Sequence, residues 1–516
     1  MAFTNENTLA KYKGKEEEFH QEFEKALEKA TLGGEYPLLI GGEEVRTGKT
    51  FEVRSPRDTS LVIGKFQVAD EDSVDKAFRV AREAYREWRL TSWRERVELA
   101  KRAAELMRRR KFELAATITL ENGKNRYEAI GEVDEAIDYF EYYAYVLQLN
   151  RGFSRDMESR MYKNEHSFSV MKPYGAWAVI APFNFPLAIT TTMSLGAVIT
   201  GNTAVVKPSS DTPLSAFNLV KIMLEAGFPA GVINYVTGSG KDLADLMLSR
   251  ADGLAFTGSK DVGHSLAKRL IEKDPRPIVM ELGGKNPVVV TDKADLDKAT
   301  EGVYRGAFGF GGQKCSATSR VFVFESVHDR FVEKLVNKVK EVKVGDPRKR
   351  EVFLGPIINK SAVEKYKRFV DEAVKNGGKI AVGGRVIDES KGYYVEPTVI
   401  TGLPYEHWMW KTELFVPILL VGKVKTLEEA VRMANDVEYG LTAGIFSEDK
   451  NEVEYFFDNI EAGVVYANRT VGATTGAMPG VQPFGGWKHS GWTGKNAGGP
   501  YYLLSFLREQ ALTYYD

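Results

Sequence analysis

The chain has 516 residues, 43 % of them hydrophobic and 27 % charged, with a formal net charge of −1. That length predicts two or three domains, and the near-neutral balance gives no electrostatic reason to expect a nucleic-acid or anionic-membrane partner. One cysteine excludes an intramolecular disulfide framework and fits a reducing compartment, while six histidines without paired spacing indicate no metal site. The segment KYKGKEEEFHQEFEKALEKA (11–30) lacks the apolar core of a signal peptide, and no long apolar run follows, so the expected location is cytoplasmic. The Lys/Glu-rich surface is a compositional hint of a thermophile.

Residues 16–29 read as a charged amphipathic helix, followed by a short sheet-like region, YPLLIGGEEV and then FEVRSP. Residues 70–89 place Val74, Ala77, Phe78, Ala81, Ala84, Tyr85 and Trp88 at helical spacing. A second helix is predicted from a Ser92/Glu95 capping box to about residue 119, and a third over 127–147 with a Tyr139/Tyr142/Tyr143 stripe expected in the core. From residue 167 the texture becomes α/β. WAVIAPFNFP, NTAVVKPS, GVINYVTGSG and GLAFTGS each read as a buried strand followed by a turn, which predicts a parallel sheet with helices on its faces. Such sheets bind dinucleotides at the carboxyl ends of their strands. The turn Gly238-Ser239-Gly240 lacks the third glycine of the usual fingerprint, so a plain strand-to-helix turn stays open there. A second α/β unit begins near Leu282, with strand-like pieces at 393–400, 415–424 and 463–468. Near the C-terminus the apolar run YYLLSFL suits an interface strand.

The second unit contains FGFGGQKCSATSR (308–320) and, within it, the sole cysteine, Cys315. A thiol after a glycine-rich turn and beside Lys314 has the setting of an activated nucleophile. From this stretch alone, a buried core thiol is an equally good reading.

Several stretches taken together are far more specific. PFNFP with Asn184, VVKPS with Lys207, MELGGKNP with Glu281, GQKCSATSR with Cys315, TELFVP and PFGGWKHSG resemble the NAD(P)-dependent aldehyde dehydrogenase family, in family order over most of the chain. The resemblance implies an α/β fold: a Rossmann-like cofactor domain (1–153 and 172–281), a catalytic domain (282–470), a small β oligomerisation arm (154–171 and 490–516) and an active-site segment (471–489). It implies Cys315 as nucleophile, Asn184 with the Cys315 backbone N–H as oxyanion donors, and Glu281 as the base that activates water. For the cofactor it implies Pro182, Lys207, Ser209, Ser210, Gly240, Thr257, Gly258, Ser259, Leu282, Gly283, Glu413 and Phe415. Val416 replaces the family's usual glycine, which questions the local turn. Ser210 stands where many NAD-preferring members carry a glutamate, so both NAD and NADP are expected, with NADP favoured.

Within the family, PFNF, FGFGGQKCSA and TTGAMPGVQPFGG resemble the 1-pyrroline-5-carboxylate (L-glutamate γ-semialdehyde) dehydrogenases. That group implies Ser316, Gly476 and Ala477 as a carboxylate anchor, Phe185 and Phe484 against the aliphatic part of the substrate, and Lys314 at the same site. A broad aliphatic or other semialdehyde dehydrogenase is the alternative, and a non-catalytic protein on the same fold a distant one. The expected partner is a small-molecule aldehyde, and the expected assembly a homo-oligomer.

Overall fold

The computed structural model describes residues 3–158, 161–272, 274–470 and 478–516. Two seven-stranded sheets form its centre. The first runs in the order Ile278–Glu281, Gly253–Thr257, Ala176–Ile180, Thr203–Lys207, Ile233–Tyr235, Leu38–Ile40, Glu43–Val45. Its first five strands are parallel, and the N-terminal hairpin closes the edge antiparallel. The five parallel strands are buried almost throughout, as cover by helices on each side demands. The chain goes outward from Ala176–Ile180 in one direction, then crosses back to place Gly253–Thr257 on that strand's other side. The strand order therefore reverses there, and crevices beyond the carboxyl ends at such points are where ligands bind. Register aligns those ends: Ile180 pairs with Lys207, and Thr257 with Glu281.

The second sheet runs Lys379–Val382, Thr398–Thr401, Ile418–Val424, Thr318–Phe324, Asn286–Val290, Thr442–Phe446, Val464–Ala467, parallel except at its first strand. Only Leu282–Lys285 separates it from the last strand of the first sheet. A third, antiparallel sheet takes Ser154–Asp156, Glu165–Pro173 and Leu507–Tyr515.

The helix Glu16–Lys29 has the expected span, and Glu71–Trp88 is closed at its start by a reciprocal Asp70/Ser73 box. Two expectations need correction. The segment expected as one helix over 92–119 is two helices, Trp93–Arg109 and Lys111–Asn122, broken at Arg110 (φ −108°, ψ 16°). Ser92 caps it through Arg94 N–H at 3.3 Å, so no Ser92/Glu95 box forms. The apolar spacing runs on through the break, and a one-residue turn leaves no mark on periodicity. The YYLLSFL run is also not an interface strand. Tyr502–Phe506 is a 3-10 turn whose Tyr502, Leu503 and Phe506 are buried in the main core, and only Leu507–Tyr515 joins the third sheet.

The helix Arg126–Leu149 buries Tyr139, Tyr142 and Tyr143, as expected of a core stripe. Its other faces carry Glu128, Glu132, Asp134, Glu135 and Asp138, most of them turned towards the site described next.

Candidate active site

Cys315 sits in the turn between the helix Leu296–Phe308 and the strand Thr318–Phe324. The chain reverses through Phe310 (φ 48°), Gly311 (φ 64°) and Gly312 (φ 66°), all left-handed. At Gly312 a Cβ would lie 2.7 Å from the Val416 carbonyl oxygen, so only glycine fits. The turn is held from within and without. Gln313 Nε2 donates to Phe310 O at 3.2 Å, and its Oε1 accepts from Ile358 N–H at 2.9 Å. Asn286 Nδ2 donates to the carbonyls of Cys315 (2.7 Å) and Ala317 (2.8 Å), while its Oδ1 accepts from Thr442 N–H. The asparagine after Gly-Gly-Lys thus fastens the backbone of the cysteine turn to the second sheet.

Burial pushes the Cys315 thiol up, and the nearby Glu413 and Glu281 carboxyls push it further the same way. Burial likewise raises Glu281 well above the carboxylate range; among the described residues its only opposing contact is the Gly486 backbone N–H, and its Oε2 has no partner there. Glu413 is pushed up to about 7 by burial, despite accepting Gly284 N–H at 2.9 Å. Cys315, Glu281 and Glu413, each only partly buried, therefore share one crevice. Without a ligand, burial and the neighbouring carboxyls keep the thiol protonated at neutral pH, and burial disfavours the charged form of Glu281.

Asn184 is buried in the turn after Ala176–Ile180. The next helix, Ala188–Ile199, has its first amides capped by Glu132, whose Oε1 accepts Leu187 N–H (2.8 Å) and Ala188 N–H (3.2 Å). The other Glu132 oxygen pairs with Lys124 Nζ at 2.5 Å, and both side chains have no solvent exposure. Lys124 Nζ also lies 3.4 Å from the Phe185 ring centre and 4.9 Å from that of Phe310. One buried cation thus joins the Asn184 turn to the cysteine turn. On the other side of Phe185, Lys314 Nζ donates to Glu128 Oε1 at 2.6 Å, and Glu128 Oε2 accepts Phe310 N–H at 3.0 Å. Phe185, Lys314 and Glu128 line a cavity of about 630 Å³. Sequence reasoning missed Lys124, Glu128 and Glu132; their only sign was an unusual density of charge in and just before a helix otherwise patterned for the core.

Ser316 and Phe484 are buried, and Phe484 is tied by paired backbone bonds to Ala497. Gly476 and Ala477 lie outside the described residues.

The residues expected to hold the cofactor gather along the carboxyl ends of the first sheet. Lys207 Nζ, pushed down to about 8 by burial, donates to Pro208 O (2.8 Å) and lies 3.4 Å from Gly238 O. Ser210 Oγ donates to that same Gly238 O at 3.0 Å, and Gly240 opens a helix beside the lysine. Ser209 accepts Asp211 N–H, and Pro182 follows Ala181, whose N–H bonds Lys207 O. Thr257 Oγ1 contacts the Met193 sulfur, Gly258 N–H donates to Glu281 O, and Ser259 precedes the twelve-residue helix Lys260–Ile271. At Gly283 a Cβ would fall 2.4 Å from Glu413 Oε2, so the carboxyl reaches this backbone only because the position is glycine. Leu282 N–H donates to Ser490 O, and Ser490 Oγ to Gly283 O. Phe415 adopts φ 59° and packs edge-on to Phe183 with ring centres 5.8 Å apart. The left-handed residue is thus Phe415 itself, and Val416 needs no glycine-like geometry. A buried lysine, a helix N-terminus and a glycine cradle beside a carboxyl, all at the point of strand-order reversal, fit a dinucleotide.

The aldehyde dehydrogenase family profile matches residues 44–512. The chain belongs to the aldehyde dehydrogenase family. A 1-pyrroline-5-carboxylate dehydrogenase from Geobacillus sp. (strain WCH70) is 38 % identical over 501 residues, covering 95 % of each protein. The crystal structure of 1-pyrroline-5-carboxylate dehydrogenase from Thermus with bound NAD superposes with a TM-score of 0.94 at 36 % identity, covering 100 % of this chain and 99 % of that one. Proline utilization A (PutA) from Bdellovibrio bacteriovorus matches with a TM-score of 0.93 at 35 % identity; this aldehyde dehydrogenase covers 53 % of that longer chain.

Proposed function

We propose that this aldehyde dehydrogenase oxidises 1-pyrroline-5-carboxylate, through its open-chain form L-glutamate γ-semialdehyde, to L-glutamate. The observation that carries the reading is the cavity lined by Phe185 and by Lys314, the residue before Cys315, where an aromatic ring and a Lys314–Glu128 ion pair stand together. An aldehyde whose far end carries both a carboxylate and a nitrogen has partners of each sign there. The similarity to 1-pyrroline-5-carboxylate dehydrogenases over nearly the whole chain supports the same substrate, and with it a role in proline catabolism.

In this reading the Cys315 thiol loses its proton to solvent water, the resulting thiolate attacks the aldehyde carbon, and the Asn184 amide and Cys315 N–H donate to the oxygen that becomes negative. A bound oxidised nicotinamide dinucleotide supplies the hydride acceptor and a cationic ring. Hydride loss leaves a thioester on Cys315. Glu281 takes a proton from water as its oxygen bonds the thioester carbon; the sulfur leaves and the carboxylate product is free. Lys207, Ser210, Ser259, Gly283 and Glu413 would hold the dinucleotide. Ser210 presents a neutral hydroxyl to the lysine pocket, which supports use of NADP as well as NAD, with NADP favoured.

The division into a cofactor-binding part (1–153 and 172–281), a catalytic part (282–470), a joining segment (471–489) and an arm is part of the proposal. The third sheet supports the arm: its edge strand Leu507–Tyr515 exposes Leu512, Tyr514 and Tyr515, and such an edge is normally covered, here by another copy of the chain. The test of function compares kcat/KM for 1-pyrroline-5-carboxylate and propionaldehyde with each cofactor. A preference of about 100-fold or more for the first, about 2.7 kcal/mol, is expected. Equal or better use of propionaldehyde would overturn the substrate assignment.

A further inference from the structure

Residues 3–11 do not trail into solvent. They run as a strap along the helix Arg126–Leu149 and contribute Asn5, Glu6, Asn7 and Leu9 to the wall of the cavity that Phe185 and Lys314 line. The strap's own secondary structure is one four-residue helix, Thr8–Lys11, far too short to hold a shape alone. What holds it is a set of buried acids. Asp134 accepts Thr8 N–H at 2.7 Å and Thr8 Oγ1 at 2.6 Å, one on each carboxylate oxygen. Asp138 accepts Glu6 N–H at 2.6 Å and Asn5 Nδ2 at 2.8 Å, again one on each. Burial pushes the Glu6 carboxyl up, yet bonds from Lys11, Lys111 and Arg108 hold it down to about 2.

Buried ionic networks of this kind add little net stability compared with apolar packing of the same volume, but they fix position closely. The position fixed here is the cavity rim. The second hydrogen of Asn5 Nδ2 goes to Pro479 O at 2.9 Å, so one amide bridges Asp138 on the long helix to the turn at 478–480. Phe3 adds an edge-on contact to Tyr142, with ring centres 5.1 Å apart, and lies against Gly480. Met478 and Pro479 line the same cavity as the strap.

We propose that Asn5 is a positioning residue for substrate selectivity: through Asp138 and Pro479 it sets the outer wall of the cavity, against the end of the substrate remote from Cys315. On this proposal a three-carbon aldehyde held at the sulfur does not meet this wall, whereas an aldehyde with a longer polar tail extends towards it. The inference rests on the substrate reading above.

The test uses the full-length wild type, Asn5→Ala and a variant lacking residues 2–7, assayed with 1-pyrroline-5-carboxylate, propionaldehyde and hexanal at saturating NAD+. Asn5→Ala should raise KM for 1-pyrroline-5-carboxylate roughly fivefold, the scale of one net hydrogen bond, with kcat and the propionaldehyde constants within about twofold. The deletion should shift the same constant further in the same direction. Unchanged KM in both variants overturns the proposal. So does a fall in kcat with all substrates alongside a lower Tm, because that pattern is lost stability alone. If the wild type shows no preference for 1-pyrroline-5-carboxylate, the substrate reading fails by itself. The strap is then judged on the alkanals, where its loss must cost hexanal more than propionaldehyde.

Discussion

Replacing Glu132 by Gln removes one charge from a pair that has no solvent contact. The glutamine oxygen can still accept Leu187 N–H and Ala188 N–H, so the cap on the helix Ala188–Ile199 survives and the loss is electrostatic. What remains is the Lys124 ammonium, fully buried, with two aromatic faces and no counter-charge from residue 132. Stranding one member of such a pair costs about 3–5 kcal/mol. Lys124→Met leaves Glu132 with two amide donors at a helix N-terminus, a setting that tolerates an anion, so its cost is smaller, about 1–3 kcal/mol. In Lys124→Met/Glu132→Gln neither charge is left behind, and the double variant should be clearly more stable than Glu132→Gln alone. Urea unfolding midpoints for the four proteins, converted with a common slope, give the coupling energy directly. A loss below about 1 kcal/mol for Glu132→Gln, or a double variant destabilised by the full sum of the singles, would refute the reasoning. Because the pair also anchors the turn carrying Asn184, Glu132→Gln should lower kcat even in molecules that remain folded.

Four further outcomes follow from the site. Asn184→Ala should lower kcat about 10²–10³-fold with little change in KM, the cost of one oxyanion donor, as steady-state kinetics would show; Cys315→Ala should abolish turnover yet leave dinucleotide binding, read by fluorescence titration, intact. The raised Cys315 thiol predicts that iodoacetamide labels the free enzyme at pH 7.5 more slowly than it labels a simple thiol. Labelling should speed up as pH rises and on adding NAD+, and fast labelling of the free enzyme at neutral pH would contradict a protonated resting state. Lys207, pushed down to about 8, is charged below that pH and neutral above it. The kcat/KM for NADP+ should therefore fall relative to that for NAD+ as pH rises through about 8, and a flat ratio would mean the ammonium does not meet the 2′-phosphate.

Much of this was legible in the sequence, for a physical reason. Cys315, Glu281 and Lys207 lie in turns or at strand ends, where glycine, proline and short apolar runs mark the local geometry. The two sheets follow from strands buried on both faces, which read as unbroken Val/Ile/Ala runs. The residues that hold the turns in place were not legible. Lys124 and Glu132 are separated by most of a domain from Phe310, and Asn5 by 474 residues from Pro479. Only the fold brings them together, and in the sequence they are ordinary surface-type residues. The break at Arg110 and the 3-10 turn at Tyr502–Phe506 escaped notice because hydrophobic spacing reports which residues are buried, not where the axis bends.

The short passage Leu282–Lys285 has a mechanical meaning. It carries the chain from the sheet that ends at Glu281 to the sheet whose neighbouring strand follows Cys315, and Glu413 and Ser490 clamp it from opposite sides. A rotation of one sheet against the other must be taken up partly in these four residues, and such a twist tilts Glu281 relative to Cys315. The relative placement of Glu281 and Cys315 is therefore only as exact as the hold on this short passage.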